Sequence, residues 1–170
     1  GVNVAADPLL SLTYTGVKGG LVLVSADDPS CHSSQNEQDN RYYAMLASMP
    51  ALEPASPQEA LEMTKAAFDL SEAVGLPVML RPTTRSCHCR ADVEAGEVRP
   101  QNTGSSFERD VRHRVTIPAH ARLLHPELLR KIEQVRETFE ESPFNSVTGS
   151  GSRGIIASGI SSAYVAEAVA

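Results

Sequence analysis

The chain has 170 residues, with 15 Lys and Arg against 21 Asp and Glu and a formal charge of −6 at pH 7; so acidic a balance offers no basic face and excludes nucleic acid as the default partner. At 41% hydrophobic and 21% charged it matches ordinary globular composition, and a chain of this length buries about 70% of the surface its unfolded form exposes. Trp is absent and aromatics are 5%, so the core is built from Ala, Val, Leu and Ile as in layered α/β proteins, while Cys31, Cys87 and Cys89 are too few for a disulfide framework and point to a reducing, cytoplasmic setting.

Asp7 before Pro8 reads as an N-cap with Pro in the first helical position, opening a short apolar helix to about Tyr14 that Gly16, Gly19 and Gly20 break. Leu21 to Ala26 has no polar alternation and reads as a central parallel strand buried on both faces. It is also the longest apolar run, far short of the ~20 residues of a membrane-spanning helix. Its carboxyl end meets Asp27-Asp28-Pro29; a polar loop from Ser30 to Asn40 leads to a helix carrying Tyr42, Tyr43, Met45 and Leu46, and then a short apolar stretch ends at Glu53.

Ser56-Pro57-Gln58-Glu59 is a capping box, and Ala60, Met63, Ala67, Leu70 and Val74 form one apolar stripe of the helix it starts. Gly75 ends that helix, and Pro77 to Leu80 reads as a second buried strand. Strand, helix, strand with short connections is the pattern of crossovers in a parallel sheet, so the predicted fold is α/β, a mostly parallel sheet flanked by helices. Arg90 to Pro118 reads as an irregular excursion with one strand near Val115 to Ile117. A helix is predicted from Pro126 to Glu140, with Leu128, Ile132, Val135 and Phe139 on its buried stripe. Ser142 to Arg153 has linker composition, and Gly154 to Gly159 reads as a strand running into a helix. The division expected is residues 1–145, a linker at 146–153 and the start of a second domain at 154–170.

Open parallel sheets bind ligands at the carboxyl ends of their strands, which singles out Asp27, Asp28 and the loop residues His32, Ser33, Ser34, Gln35 and Asn36. The bland alternative is a solvated loop in which Asp27 and Asp28 make Asx turns or caps. Cys87-His88-Cys89 is a soft-ligand cluster with poor zinc spacing, lacking a second ligand pair unless His113, His120 or His125 is recruited. Cys31 beside His32 is badly placed for thiolate activation, because adjacent side chains on an extended chain point to opposite faces. Gly16 to Gly20, and Gly149, Gly151 and Gly154, precede strands and are read as turns and linker, not phosphate loops. Arg81, Arg85 and Arg90 follow the second main strand and could meet an anion or form structural salt bridges.

Several runs carry a specific resemblance. Asn3 to Pro8, Tyr14 to Gly20, Ala26 to Pro29, and His32 to Asp39 with Arg41-Tyr42-Tyr43 resemble the α subunit of indolepyruvate ferredoxin oxidoreductases. The likeness continues through Gly75 to Arg81, Thr83 to Arg85, Pro118 to Arg122, His125 to Leu128, Ser142 to Asn145 and Gly154 to Gly159. It implies a thiamine-diphosphate enzyme that oxidatively decarboxylates indolepyruvate or other arylpyruvates with coenzyme A and passes electrons through iron–sulfur clusters to ferredoxin. It further implies the later part of a pyrimidine-binding-type domain followed by the start of a transketolase carboxyl-terminal-like domain. The expected partners are the remainder of the α subunit, a smaller β subunit, ferredoxin, coenzyme A and substrate, in an oligomeric assembly.

The resemblance places the cofactor-activating Glu before Gly1 and the magnesium–diphosphate and cluster-ligating motifs downstream. This segment alone is therefore expected to be inactive, to hold no metal and to contain no catalytic residue. The missing initiator Met and the uncapped helix-like run Ala163 to Ala170 lead to the same expectation of a partial chain. In the related pyruvate branch an Arg that grips the substrate carboxylate stands where this chain has Asp27, so the resemblance implies a different substrate hold here. Two alternatives stay open from the residues: a non-catalytic assembly module of the same complex, or a small metal-binding protein using Cys87, His88 and Cys89.

Overall fold

A computed structural model describes residues 1–98, 100, 104 and 106–170. Its elements in chain order are α1 (Ala6–Thr15), β1 (Val22–Val24), α2 (Arg41–Ala47), β2 (Ala51–Leu52), α3 (Pro57–Val74), β3 (Val78–Leu80), α4 (Thr84–His88), α5 (Val111–Arg114), α6 (Pro118–Glu140) and α7 (Ile160–Val169). The strands form a three-stranded, wholly parallel sheet in the order β1-β3-β2. Val22, Leu23 and Val24 pair with Val78, Met79 and Leu80, and Ala51 and Leu52 pair with Met79 and Leu80.

Val78, Met79 and Leu80 are all buried, as a strand covered on both faces requires. Successive side chains point to opposite faces, and the two cores divide accordingly. Met79 packs with Val2 and Leu9 from the α1 side and Ala44 and Ala47 of α2, whereas Val78 and Leu80 pack with Leu52 and with Met63 and Ala67 of α3.

The start of α3 is as its capping box predicts, with a shift in one partner. Ser56 Oγ accepts from the Glu59 amide at 3.1 Å, while the Glu59 carboxylate accepts from the Ala55 amide at 2.7 Å instead of from the cap residue itself. Ser71 ties the helix to the sheet, donating to the Leu76 carbonyl at 2.6 Å and accepting from the Leu21 amide at 2.9 Å. Gly75 closes α3 in the left-handed region, φ 66°. Gly16 ends α1 at φ 65°, and a Cβ there would lie 2.7 Å from the Gly75 carbonyl oxygen. Only a glycine lets the two helix ends meet, joined by the Val17 amide donating to Gly75 at 3.0 Å.

Five sequence expectations are corrected. Asp7 does not cap α1; it lies inside the first turn, and Ala5 takes the cap position with no side-chain hydrogen bond. The Leu21 to Ala26 run is not a central strand: β1 is three residues long, pairs only with β3 among the described residues, and leaves Val24 61% exposed. The central strand is β3. No strand forms at Val115 to Ile117, where both side chains are exposed and the Ile117 amide turns back to the Val115 carbonyl. Asp110 instead caps the short α5 through the Arg112 and His113 amides.

Helix α6 begins at Pro118 and carries Pro126 inside it. The predicted start at Pro126 fails because Leu124 is buried and His125 stacks on Tyr14, with ring centroids 5.5 Å apart. That packing outweighs the amide missing at Pro126. Residues 154–158 form no strand, and Ile155 and Ile156 are exposed. Within the predicted excursion from Arg90 to Pro118, positions 99, 101–103 and 105 lie outside the described residues. Among the described residues no helix is long and apolar enough to cross a membrane.

Candidate functional site

The carboxyl ends of the three strands converge on a buried polar network. Asp27, just past β1, is 1% exposed. One carboxylate oxygen accepts from Arg81 Nε at 2.6 Å and from the Asn40 amide at 2.6 Å; the other accepts from Asn40 Nδ2 at 2.6 Å and Ser25 Oγ at 3.1 Å. Arg81, leaving β3, also donates Nη1 to Glu53 at 2.6 Å and lies 3.5 Å from Asp39. Burial works against the Arg81 charge, but its hydrogen bonds to Asp27 and Glu53 prevail and raise its pKa above the ordinary value. Glu53, at the end of β2, accepts from Ser158 Oγ at 2.6 Å, and Arg41 grips Asp39 through two nitrogens at 2.8 and 2.6 Å.

Asp28 shapes the following loop. Its carboxylate accepts from the backbone amides of His32 at 3.0 Å, Ser33 at 2.7 Å and Ser34 at 2.8 Å, and from the Thr84 hydroxyl at 2.7 Å. The Ser33 amide, then the Thr84 hydroxyl, hold the carboxyl well below the usual carboxylate range against the opposing pull of desolvation, with the Ser34 and His32 amides adding to them. These bonds secure a turn in which Ser30 and Cys31 adopt left-handed φ of 67° and 54°, costly for residues with a Cβ.

A cleft of about 300 Å3 opens beside this network. Pro29, His32, Thr83, Thr84 and Arg85 line it together with Ile160 and Tyr164 of α7. Of the sequence-predicted site residues, His32 faces the cleft, while Asp27 and Asp28 are buried beneath it with their oxygens occupied by internal donors. Ser33 and Ser34 belong to the loop through their amides. Gln35 and Asn36 are exposed and stand outside the cleft lining; Gln38 donates to the Asn36 carbonyl and side-chain oxygens.

The soft-ligand residues do not come together. Cys31, Cys87 and Cys89 are exposed free thiols, although partial desolvation by neighbouring groups pushes the Cys87 thiol pKa up. His113 pairs with Asp110 at 2.6 Å, His120 with the Val115 carbonyl at 2.8 Å and His125 with the Tyr14 hydroxyl at 2.9 Å. Among the described residues no three His, Cys, Asp or Glu side chains are placed to hold a metal ion. With Asp27 and Asp28 already saturated, these residues do not fit a magnesium–diphosphate group. Three thiols are also one short of the four that the common iron–sulfur clusters take. The cleft presents arginine, hydroxyl and imidazole groups together with the Glu53 carboxylate, beside proline and tyrosine.

Asn40 and Glu53 were not singled out by sequence reasoning. Asn40 looked like the end of a polar loop, and only the fold brings it under Asp27; Glu53 carried a faint signal, a lone acid closing an apolar stretch.

A helix-flanked, wholly parallel sheet with a polar cleft at its strand ends defines an α/β protein. Comparison with known proteins makes it specific. The chain is 52% identical over 172 residues to indolepyruvate oxidoreductase subunit IorA of Archaeoglobus fulgidus, covering 99% of this chain and 27% of that protein. It is 52% identical over 177 residues to the subunit of the same name from Thermococcus kodakarensis, covering 100% of this chain and 27% of the relative. The Methanothermobacter thermautotrophicus subunit is 48% identical over 172 residues, covering 99% and 28%. No protein-family model matches the chain, and no solved structure gives a significant match. Over its whole length this chain is therefore a relative of part of indolepyruvate oxidoreductase subunit IorA, as the residues from Asn3 to Gly159 indicate, and it spans about 27% of the length of those proteins.

Proposed function

We propose that the chain is part of an oxidoreductase subunit that oxidatively decarboxylates indolepyruvate or a related arylpyruvate. The single observation behind this reading is identity of 48–52%, along essentially the entire chain, to subunits named for indolepyruvate oxidation. Thiamine diphosphate with magnesium, iron–sulfur clusters, coenzyme A and ferredoxin belong to the same proposal, as do a cytoplasmic location, a smaller β subunit and an oligomeric assembly. In this reading the metal and cluster ligands lie in the remainder of the subunit, and the role of this segment, inactive alone, is to wall the site. In that role Asp27 and Asp28 position the strand-end loop, and His32, Ser33, Ser34, Gln35 and Asn36 face cofactor or substrate bound by the remainder of the subunit. Residues 1–145 form the later part of a pyrimidine-binding-type domain, 146–153 the linker and 154–170 the start of the next domain.

The reading is tested by anaerobic assay of the full-length protein, assembled with its partner subunit and supplied with thiamine diphosphate and magnesium. Reduction of a viologen dye that requires both indolepyruvate and coenzyme A is expected; absence of indolepyruvate-dependent reduction overturns the reading. A second role, in assembly, is favoured by the exposed Tyr42, Met45 and Leu46 on α2. Substitutions on this face that dissociate subunits, while His32 and Gln35 variants leave kinetics untouched, would make assembly the segment's main task.

A further inference from the structure

We propose that the outer edge of β1 is a docking edge: it takes one further parallel strand from the part of the subunit outside this chain, and the helix connecting that strand rests on Val24 and Phe68. The register fixes which backbone groups take part. The Val78 amide donates to the Leu21 carbonyl at 3.0 Å, the Ser25 amide to the Leu80 carbonyl at 2.9 Å and the Asp27 amide to the Pro82 carbonyl at 3.0 Å. With Val22 to Val24 paired to Val78 to Leu80, the residues turned toward β3 are therefore Leu21, Leu23, Ser25 and Asp27. Alternate residues of a strand send their N–H and C=O to opposite sides, so Val22, Val24 and Ala26 offer theirs to the outer edge, where no strand among the described residues pairs with them.

Composition and packing both mark this edge as one that becomes internal. Leu21 to Val24 is an uninterrupted apolar run with no charge or Pro to guard it, whereas edges left to solvent are kept short or carry such residues. The opposite edge shows those devices: β2 is two residues long, bracketed by Pro50 on one side and by Glu53 and Pro54 on the other. Val24 shares a face of the sheet with Val22, which packs into the α3 core, yet it is 61% exposed. Phe68 of α3 is 45% exposed and flanks the start of β1, its ring 2.9 Å from where a Cβ on Gly20 would lie. Val24 and Phe68 thus form an apolar strip beside β1 that α3 leaves uncovered. A parallel strand is reached by a crossover that is usually helical, so the unit supplying the strand also covers the strip.

The occupant is argued from direction and length. All three strands are parallel, and the chain spans about 27% of the IorA subunits it matches. A second copy related by a twofold axis would instead pair this edge with itself, antiparallel. That the chain is part of a longer subunit rests on the function proposed above; which edge is extended rests on the geometry.

The test is hydrogen exchange of the full-length protein at single-amide resolution, read by mass spectrometry. The Val22, Val24 and Ala26 amides are expected to exchange at least ~100-fold more slowly than in an unstructured peptide, and within roughly tenfold of Leu23 and Ser25. Exchange of these three at the peptide rate, with Leu23 and Ser25 protected, overturns the proposal. So does protection lost on dilution to single subunits, which assigns the edge to a second copy or another subunit. Val24→Cys, a small change at an exposed position, reports on the strip: alkylation by iodoacetamide only after unfolding in urea is expected, and prompt labelling of the folded protein overturns the covering helix. Slow exchange at all three amides in a protein that fails to oxidise indolepyruvate supports the docked strand and removes only the functional reading.

Discussion

Asp27, at the exit of β1, and Arg81, at the exit of β3, form a buried ion pair at 2.6 Å with almost no solvent access to either side chain. The pair joins the ends of two parallel strands and, through Asn40 and Glu53, the loop and the third strand as well. Removing one member of such a pair leaves an uncompensated buried charge, typically costing 3–5 kcal/mol. Because Arg81 keeps Glu53, Asp27→Ala is expected at the lower end, about 3 kcal/mol, read as a fall in the urea midpoint. A midpoint that does not move would contradict the network as described.

Asp28 gives a pH dependence. Its carboxyl is depressed in the folded chain by the Ser33 amide, the Thr84 hydroxyl and further loop amides, against a usual value of 3.8. A group with a depressed folded pKa contributes stability that is fully present above its unfolded value and is lost as pH falls through the folded one. The loop should therefore stay protected near neutrality and loosen progressively below pH ~4. Exchange of the Ser33 and Ser34 amides should accelerate in Asp28→Asn at pH 7, and lowering the pH should change exchange less in that variant than in wild type.

Gly16 offers a stability test away from the cleft. An alanine there must adopt φ 65° and place its Cβ 2.7 Å from the Gly75 carbonyl oxygen, so Gly16→Ala should lower stability by about 2–3 kcal/mol. Thermal unfolding provides the check. The α1–α3 junction would have to be looser than described if Gly16→Ala melted like wild type.

The parallel sheet was legible where the signals are local. The Ser56 cap, the stripe through Met63 and Ala67, Gly75 and the apolar run before Arg81 are each contained in a few residues, and each appears where the periodicity put it. What misled were signals that tertiary contacts override. Leu21 to Ala26 is apolar enough for a central strand, yet β1 has β3 on only one side, and Pro126 looks like a helix start although Tyr14 and Leu124 draw the helix eight residues further back. At the candidate site, strand-end position singled out Asp27, Asp28 and His32, but not that both carboxylates are consumed internally. The partners that consume them, Asn40, Arg81, Thr84 and the loop amides, come largely from distant parts of the chain.

The strand-end loop as a wall of an arylpyruvate-oxidising site is tested most directly by the rate of indolepyruvate-dependent viologen reduction in full-length, assembled His32→Ala protein. A roughly tenfold or greater drop in kcat/KM, with expression and subunit assembly as in wild type, is the predicted result. Kinetics indistinguishable from wild type for His32→Ala would contradict it.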